Sequence, residues 1–187
     1  MEKRIAAALA ARPKVSLTDP GLSQAAVVVP VFQNGSGLGA VFIRRTHKVE
    51  THKGQYAFPG GFAEVEDVSL EVTALREFEE ELGISRRDDK ILGQLDDHRT
   101  IHSVCISPFV GLVPHPYSWL PNPDEVAEVV ELPLSRLVEP GIRSVEDYRR
   151  PDGSVAHVTF YRVDHHVIWG ATGSILDEFL HRMDLLR

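Results

Sequence analysis

Residues 58–84 read FPGGFAEVEDVSLEVTALREFEEELGI, and this stretch carries the clearest structural signal in the sequence. Its second half predicts a helix from Ser69 to Leu82. Gly83 follows at once, in the position after a helix end where a left-handed residue is often needed. Before the helix, Pro59-Gly60-Gly61 permits a tight backbone turn close to the helix start.

The predicted helix carries three carboxylates on one side. At about 100° per residue, Glu77, Glu80 and Glu81 fall within an arc of roughly 100°, while Phe78 and Leu82 point the other way. We therefore expect one buried face and an opposite face that presents the carboxylates. Such neighbours repel each other by roughly a few tenths of a kcal/mol per i,i+4 pair in water. A hard divalent cation such as Mg²⁺ would remove this repulsion.

The acidic face also has an ordinary interpretation as a solvated helix surface, because charge runs are common. Two neighbouring features favour metal binding instead. The glycine turn would bring a backbone carbonyl close to the carboxylates, and Arg76 stands four residues before Glu80, where it can orient that side chain. A bound cation would neutralise an anionic substrate group and lower the pKa of an attacking water.

The stretch resembles the Nudix box, whose usual form is G-x5-E-x7-R-E-U-x-E-E-x-G-U, with U a bulky aliphatic residue. The matching residues are Gly61, Arg76, Glu77, Glu80, Glu81, Gly83 and Ile84. Asp67 stands at the early glutamate position, the spacer before Arg76 is one residue longer, and Phe78 replaces an aliphatic residue. The resemblance places the box at about residues 61–84. The length of 187 residues suits a single domain, 1–187, and residues 1–22 are expected to form an N-terminal helix and loop.

The resemblance also implies a fold, a reaction and a set of roles. The fold class would be α/β (α+β). The architecture would be the Nudix α/β/α sandwich, in which a mixed sheet lies between helices. Water would split a diphosphate linkage in a nucleotide derivative. Glu77, Glu80 and Glu81 would bind Mg²⁺, for which Mn²⁺ can substitute, and the backbone carbonyl of Gly60 is a further candidate ligand. Arg76 would be a structural salt-bridge partner.

The flanking residues resemble the coenzyme A pyrophosphatase branch of that family. Val41-Phe-Ile-Arg-Arg45, Gly54 and Phe58-Pro-Gly-Gly61 are similar to its extra motif, L-L-T-x-R followed by a spaced R, G and F-P-G-G. Later segments are similar as well: 95–97, 107–111, 122–128 and 168–172. This resemblance spans about residues 25–180 and implies coenzyme A as the substrate, cleaved to 3′,5′-ADP and 4′-phosphopantetheine.

The motif of that branch is incomplete in this chain. Its second arginine, four residues before Gly54, is Glu50 here, and its threonine is Ile43. Nearby cationic and amide side chains are candidates for binding phosphate oxygens instead: Arg44, Arg45, His52, Lys53 and Gln55. Ordinary surface charge explains the same residues equally well. Glu50 keeps open a different substrate, ADP-ribose or a nucleoside diphosphate sugar.

A general base is expected to accept the proton of the attacking water. In many members of the family it is a glutamate outside the box, which makes Glu125 and Glu128 in the segment NPDEVAE the candidates here. Alternatively, the box glutamate Glu77 or Glu80 does this work. Polar alternation on a half-buried strand would explain Glu125 and Glu128 without any catalytic role.

The composition restricts the partners. A net charge of -7 gives no general attraction to nucleic acid or to an anionic membrane, and an RNA-binding or decapping role fits poorly. The single cysteine, Cys105, excludes an intramolecular disulfide and suits a reducing cytosol. We therefore expect a cytoplasmic enzyme with a small-molecule nucleotide diphosphate substrate. A non-catalytic nucleotide sensor on the same scaffold is the alternative, but such sensors usually lose the box carboxylates.

The rest of the sequence predicts more strands than helices. A short surface helix is expected at the N terminus and an amphipathic helix over Thr172–Leu186. The predicted strands are Ala25–Phe32, Leu38–Arg45, a short one near Tyr56–Phe58, Ile91–Leu95, Val104–Val113, Val126–Leu132 and Val155–Val163. On a strand, the adjacent His165 and His166 would face opposite sides and could not share a metal. Cys105 is expected to be a buried thiol.

Overall fold

The protein is described by a computed structural model that covers residues 1–84, 90–149 and 153–186. The helices within these ranges are α1 (Glu2–Ala10), α2 (Leu70–Leu82), α3 (Leu134–Leu137) and α4 (Gly170–Arg182). The strands are β1 (Ser23–Asn34), β2 (Gly37–Arg45), β3 (Tyr56–Ala57), β4 (Gly60–Phe62), β5 (Lys90–Gln94), β6 (His98–Arg99), β7 (Val104–Leu112), β8 (Val126–Pro133), β9 (Arg143–Arg149), β10 (Val155–Val163) and β11 (His166–Trp169).

The larger sheet is mixed, as predicted. Its strands follow the order β3-β2-β1-β7-β5, while β4 pairs with β1, β6 with β7 and β8 with β2. β1 and β7 run parallel, whereas β1 and β2 form an antiparallel hairpin. The neighbouring residues Val28 and Val29 are both fully buried, so both faces of β1 are covered. This burial explains why the strand reads as a continuous apolar run.

Helices lie on both faces of this sheet. On one face, Phe78 and Leu82 of α2 pack with sheet residues such as Val28. On the other face, Leu176 and Phe179 of α4 share a second apolar cluster with Val29, among others. The sheet therefore lies between helices, as the expected sandwich requires.

The predicted strand over residues 155–163 forms, but it belongs to a separate sheet. β9, β10 and β11 make a three-stranded antiparallel sheet in the order β11-β10-β9. Tyr161 and Ile168 from this small sheet lie in the same apolar cluster as α4. The small sheet thus covers the main sheet together with α4.

The N-terminal helix is more than a surface helix. Ile5 and Leu9 of α1 are buried, and Leu9 lies over Gly93 of β5, where an added Cβ would come within 3.0 Å of Leu9. A side chain at position 93 would therefore require the Leu9 side chain to shift by a few tenths of an ångström. Among the described residues, no helix is long and apolar enough to cross a membrane.

Candidate active site

Caps fix both ends of α2, the helix of the box. The Ser69 hydroxyl accepts a hydrogen bond from Val72 N at 3.2 Å, which satisfies one of the free N–H groups of the first turn. Gly83 adopts a left-handed conformation with φ of 67°, and its N–H donates to Glu79 O at 2.8 Å. These caps place the helix within one residue of its predicted start and at its predicted end.

Arg76 lies at the centre of the site and orders the residues around it. Its guanidinium donates to both carboxylate oxygens of Asp67, at 3.2 and 3.1 Å, and to the Phe62 carbonyl at 3.0 Å. Its Nη1 donates to Glu77 at 2.8 Å and to Glu80 at 3.2 Å. Arg76 therefore ties the loop before α2 to two of the three carboxylates.

Asp67 fills the early glutamate position despite its shorter side chain. Besides Arg76, it accepts hydrogen bonds from Glu64 N at 3.0 Å and from the Thr73 hydroxyl at 2.9 Å. The hydrogen bond from Arg76 is the main reason why the pKa of Asp67 lies well below its ordinary value. The departure from the usual motif thus preserves an ionised anchor for Arg76.

Glu81 is buried, which the helical pattern did not predict. Only 1% of the residue is exposed, and its Oε2 accepts a hydrogen bond from Gly60 N at 2.8 Å. Arg45 Nη1 lies 3.7 Å from Glu81 Oε1. Burial raises the pKa of Glu81 to about 8, and it also raises the pKa of Glu77. The carboxylate side of α2 therefore packs against β4, and of the three glutamates Glu80 is the exposed one.

Two glycines permit this close packing. Gly60 has φ of 150°, and a Cβ there would lie 2.2 Å from the backbone oxygen of Ala26 in β1. A Cβ on Gly61 would lie 2.4 Å from the Glu77 carboxyl carbon. Side chains at these two positions would displace the strand or the carboxylate.

The donor chemistry of the site fits a hard divalent cation. Glu77, Glu80 and Glu81 offer only oxygen, the donor that Mg²⁺ prefers. Two of these carboxylates have raised pKa values because of burial, and a nearby cation would favour their ionised forms. The carboxylate oxygens accept hydrogen bonds from Arg76 and from Gly60 N. Within the described ranges, no three acidic, histidine or cysteine side chains converge closely enough to form a metal cluster.

Arg44 and Arg45 point to opposite faces of β2, as neighbouring strand residues do. Arg45 lies beside Glu81, whereas Arg44 Nε donates to Glu128 at 2.8 Å. Glu128 pairs with Arg44 across β2 and β8, on the face where Phe42 packs towards α4. The structure thus brings Arg45 to the α2 carboxylates and leaves the predicted candidates Arg44 and Glu128 on the other face of the sheet.

Glu125, the other candidate base, lies on the α2 side. It immediately precedes β8, and its backbone carbonyl accepts a hydrogen bond from Thr46 N at 2.9 Å. Its negative charge contributes to the raised pKa values of Glu77 and Glu81, after the larger effect of burial. Glu125 Oε1 also accepts a hydrogen bond from Asn122 Nδ2 at 3.3 Å, and Asn122 N donates to the Glu81 carbonyl at 2.9 Å, so Glu125 lies near the end of α2.

The loop with the other candidate substrate-binding residues folds back onto Arg45. Gly54 N donates to the Arg45 carbonyl at 3.1 Å, and Arg45 N donates to the Gln55 carbonyl at 3.0 Å. His52 Nδ1 and Gln55 Oε1 are 2.9 Å apart. Lys53 is exposed. His52, Lys53 and Gln55 are thus held next to the arginine that contacts Glu81.

The structure also tests the expectations for the adjacent histidines and for the cysteine. His165 lies in a turn and not on a strand, so its ring centroid comes within 3.9 Å of the His166 ring. The predicted alternation of these two residues was therefore wrong. Cys105 is buried, as expected, and burial raises the pKa of its thiol.

Comparison with known proteins identifies the family of the chain. Residues 22–152, more than half of the chain, match the family model described as NUDIX domain. A Nudix hydrolase NudL of Citrobacter koseri is 33% identical over 168 residues, which are 89% of this chain and 86% of that protein. The NudL of Photorhabdus laumondii is 35% identical over 161 residues, 86% of this chain and 85% of that protein.

The chain therefore belongs to the Nudix family. It is a pyrophosphohydrolase that acts on pyrophosphate bonds in nucleotide derivatives, a class of enzyme that generally needs divalent metal ions such as Mg²⁺.

Solved structures support the fold. The MutT protein of Methanosarcina mazei Go1 aligns with a TM-score of 0.54 and 17% identity, over 92% of this chain and 96% of that one. An Ap4A hydrolase of C. elegans, solved as a binary complex, aligns with a TM-score of 0.52 and 14% identity, over 59% of this chain and 80% of that one. At these identities the likeness concerns the fold alone, and it agrees with the predicted Nudix sandwich.

Proposed function

We propose that the protein hydrolyses the diphosphate linkage of coenzyme A and releases 3′,5′-ADP and 4′-phosphopantetheine. The observation that carries this proposal is the position of Arg45, 3.7 Å from Glu81 and backed by the loop that contains His52 and Lys53. Arg45 ends the segment that resembles the coenzyme A branch. Arg45 lies beside a box carboxylate. In an acidic protein, a diphosphate bound there would need a nearby cationic side chain to attract it.

We assign the metal site to the oxygens of Glu77, Glu80 and Glu81, with the backbone carbonyl of Gly60 as a further ligand. When bound, Mg²⁺, or Mn²⁺ in its place, supplies charge neutralisation for the diphosphate and acidifies a water molecule. Arg76 acts on this set indirectly, because it orients Glu77 and Glu80 and is itself anchored by Asp67.

The other side chains either bind the substrate or act on the attacking water. Arg45 and Lys53 attract the phosphates, while His52 and Gln55 offer hydrogen bonds to phosphate oxygens. Glu125 accepts a proton from the attacking water. The water oxygen forms a bond to one phosphorus, the bridging P–O bond breaks, and its electron pair leaves with the departing phosphate.

The position of the candidate bases favours Glu125 over Glu128. Glu128 is paired with Arg44 on the other face of the sheet, so this pair supports β2 and does not meet the reacting atoms. Glu77 or Glu80 remains the alternative base. Because both contact Arg76, each would have to leave that hydrogen bond or share it while it accepts the proton.

A second substrate class is motivated by Glu50. This exposed carboxylate stands where the coenzyme A branch has an arginine, and it would repel an additional phosphate. ADP-ribose and nucleoside diphosphate sugars lack the 3′-phosphate of coenzyme A, so they would be less affected. For either substrate we expect the enzyme to act in the cytoplasm on a small molecule and not on nucleic acid or at a membrane.

A substrate panel tests the proposal. The protein would be incubated with excess Mg²⁺ and coenzyme A, ADP-ribose or several nucleoside diphosphate sugars, and the products separated by chromatography. We expect coenzyme A to have the highest kcat/KM and to yield 3′,5′-ADP. A higher kcat/KM for ADP-ribose or a sugar nucleotide would contradict the coenzyme A assignment and support the second class.

A further inference from the structure

A short segment immediately before β8, residues 120–125, connects the end of α2 to Glu125. Leu120 N donates to the Leu82 carbonyl at 3.0 Å, and Asn122 N donates to the Glu81 carbonyl at 2.9 Å. These carbonyls belong to the last turn of the helix, where no intrahelical partner exists. The segment therefore caps α2 at the residue that carries the buried carboxylate.

Asn122 also organises the turn that leads to Glu125. Its backbone carbonyl accepts hydrogen bonds from Glu125 N at 3.1 Å and Val126 N at 2.8 Å. Its side-chain Oδ1 accepts from Asp124 N at 3.1 Å. Because a backbone N–H can only donate, this bond fixes which end of the amide is oxygen. The nitrogen, Nδ2, is left to donate to Glu125 Oε1 at 3.3 Å.

We propose that Asn122 is a positioning residue, whose amide nitrogen holds the Glu125 carboxylate towards Glu77 and Glu81 so that Glu125 can accept the proton of the attacking water. The inference rests on the proposed role of Glu125 as the general base. Three carboxylates in one region repel each other, so Glu125 needs a donor to hold it near the other two. Asn122 supplies that donor from the same residue that caps the end of α2.

The substitution Asn122→Asp isolates this contact. Aspartate has the same shape and still offers an oxygen to Asp124 N, but it replaces the Nδ2 donor with an oxygen that repels Glu125. We expect kcat to fall about tenfold or more, the usual effect of losing a hydrogen bond to a charged group. KM should stay within about twofold and the melting temperature should stay close to that of the wild type, because the caps are unchanged.

Asn34→Asp is the matched control. The Oδ1 of Asn34 accepts from Ser36 N at 2.9 Å in the same kind of turn. Asn34 lies seven residues along β1 from Val27, which pairs with Gly60, a separation of roughly 23 Å along the strand. The control makes the same chemical change away from the site, so its kcat should equal that of the wild type.

A double-mutant cycle separates positioning from a merely structural effect. Glu125→Gln should lower kcat by about 10²-fold or more, as expected for the loss of a general base. If Asn122 acts through Glu125, adding Asn122→Asp to Glu125→Gln should change kcat by less than about twofold. If the fold-loss of kcat in the double variant equals the product of the losses in the two single variants, the inference is overturned. Wild-type kcat in Asn122→Asp or in Glu125→Gln would also overturn it.

The inference and the proposed function fail in different ways. Absence of hydrolysis by the wild type across the whole substrate panel would overturn the proposed function. A crystal structure of Asn122→Asp would then still decide the positioning role, because Glu125 is expected to turn away from Glu77 and Glu81. An unchanged Glu125 side chain would overturn the inference without any measurement of turnover.

Discussion

At the scale of single residues, Gly60 and Gly61 protect different parts of the site. Gly60 has φ of 150°, and a Cβ there would contact the rigid backbone of β1, with 2.2 Å to the Ala26 oxygen and 2.6 Å to the Val27 Cα. We expect Gly60→Ala to lower the free energy of unfolding by about 3 kcal/mol, the upper range for one strained residue. Urea unfolding would measure this change.

Gly61→Ala should affect activity more than stability. The new Cβ would contact the end of the flexible Glu77 side chain, which can move aside at a cost of about 1 kcal/mol. Because Glu77 would leave its place beside Arg76, we expect kcat/KM to fall about tenfold or more. Steady-state kinetics and urea unfolding of both alanine variants would test the contrast. A fully active Gly61→Ala, or an equally stable Gly60→Ala, would contradict it.

The sequence predicts which residues form the site better than it predicts their surroundings. A helical wheel brings Glu77, Glu80 and Glu81 together, but it contains no information about the β4 backbone that buries Glu81. The separation of Arg44 from Arg45 was accessible to sequence reasoning, because neighbouring residues on a strand face opposite sides. The hydrogen bond from Asn122 N to the Glu81 carbonyl joins segments that are about 40 residues apart, and no local pattern indicates it.

At the scale of elements, regular apolar patterns and caps were predictive, and polar strands were not. α2 has a serine cap, a regular apolar face and a terminal glycine, so its bounds follow closely from the sequence. β9 reads RSVEDYR, and six of its seven residues are exposed or charged, so it lacks the alternation of a half-buried strand. β11 has four residues, which is too short for a periodic signal.

The attachment of α4 to the small sheet leads to a prediction about pH. Burial alone would raise the pKa of Asp177, but hydrogen bonds from Arg143 and from the Tyr161 hydroxyl, the latter at 2.6 Å, outweigh it and lower the pKa. The stabilisation is therefore present above the pKa of the unfolded chain, about 4, and is lost as the pH falls through the lower folded value.

We expect Asp177→Asn to lower the free energy of unfolding by about 2 kcal/mol at neutral pH, the range for hydrogen bonds to a charged group. The difference from the wild type should shrink as the pH falls from about 4, where the carboxylate of the unfolded chain binds its proton, through the lower pKa of the folded protein. Urea unfolding at several pH values would measure it. The control Asp147→Asn alters an exposed pair with His157 in the same sheet and should change stability by less than about 0.5 kcal/mol. A difference for Asp177→Asn that stays constant with pH would contradict the assignment.

At the scale of the whole molecule, the main sheet separates two regions with different tasks. The α2 face holds the carboxylates, Arg45 and Glu125, while the opposite face is covered by α1, α3, α4 and the small sheet. Arg182 of α4 is almost fully buried and donates to the carbonyls of Leu9 and Arg12 and to Asp96. This network joins the N-terminal segment to the C-terminal helix across the covered face.

The mixed sheet between helices was predicted at this scale, because the resemblance of the box implies this sandwich and the apolar runs predict more strands than helices. The division into two sheets was not. The apolar run of β10 looks the same whether it pairs with β9 and β11 or joins the main sheet, and its partners give little signal of their own. Strand pairing between distant segments is decided by packing, in this case against α4.

The most direct test of the account is the activity of Glu80→Gln and Glu81→Gln, measured against Glu79→Gln on the best substrate of the panel. All three variants remove one negative charge from the last turns of α2, but only the first two change proposed metal ligands. We predict that kcat/KM falls at least about a hundredfold in those two, beyond the loss expected for an outer-shell partner, and stays within about twofold of wild type in Glu79→Gln. Wild-type activity in either Glu80→Gln or Glu81→Gln, with the fold intact, would contradict the assignment of the α2 carboxylates as the catalytic metal site.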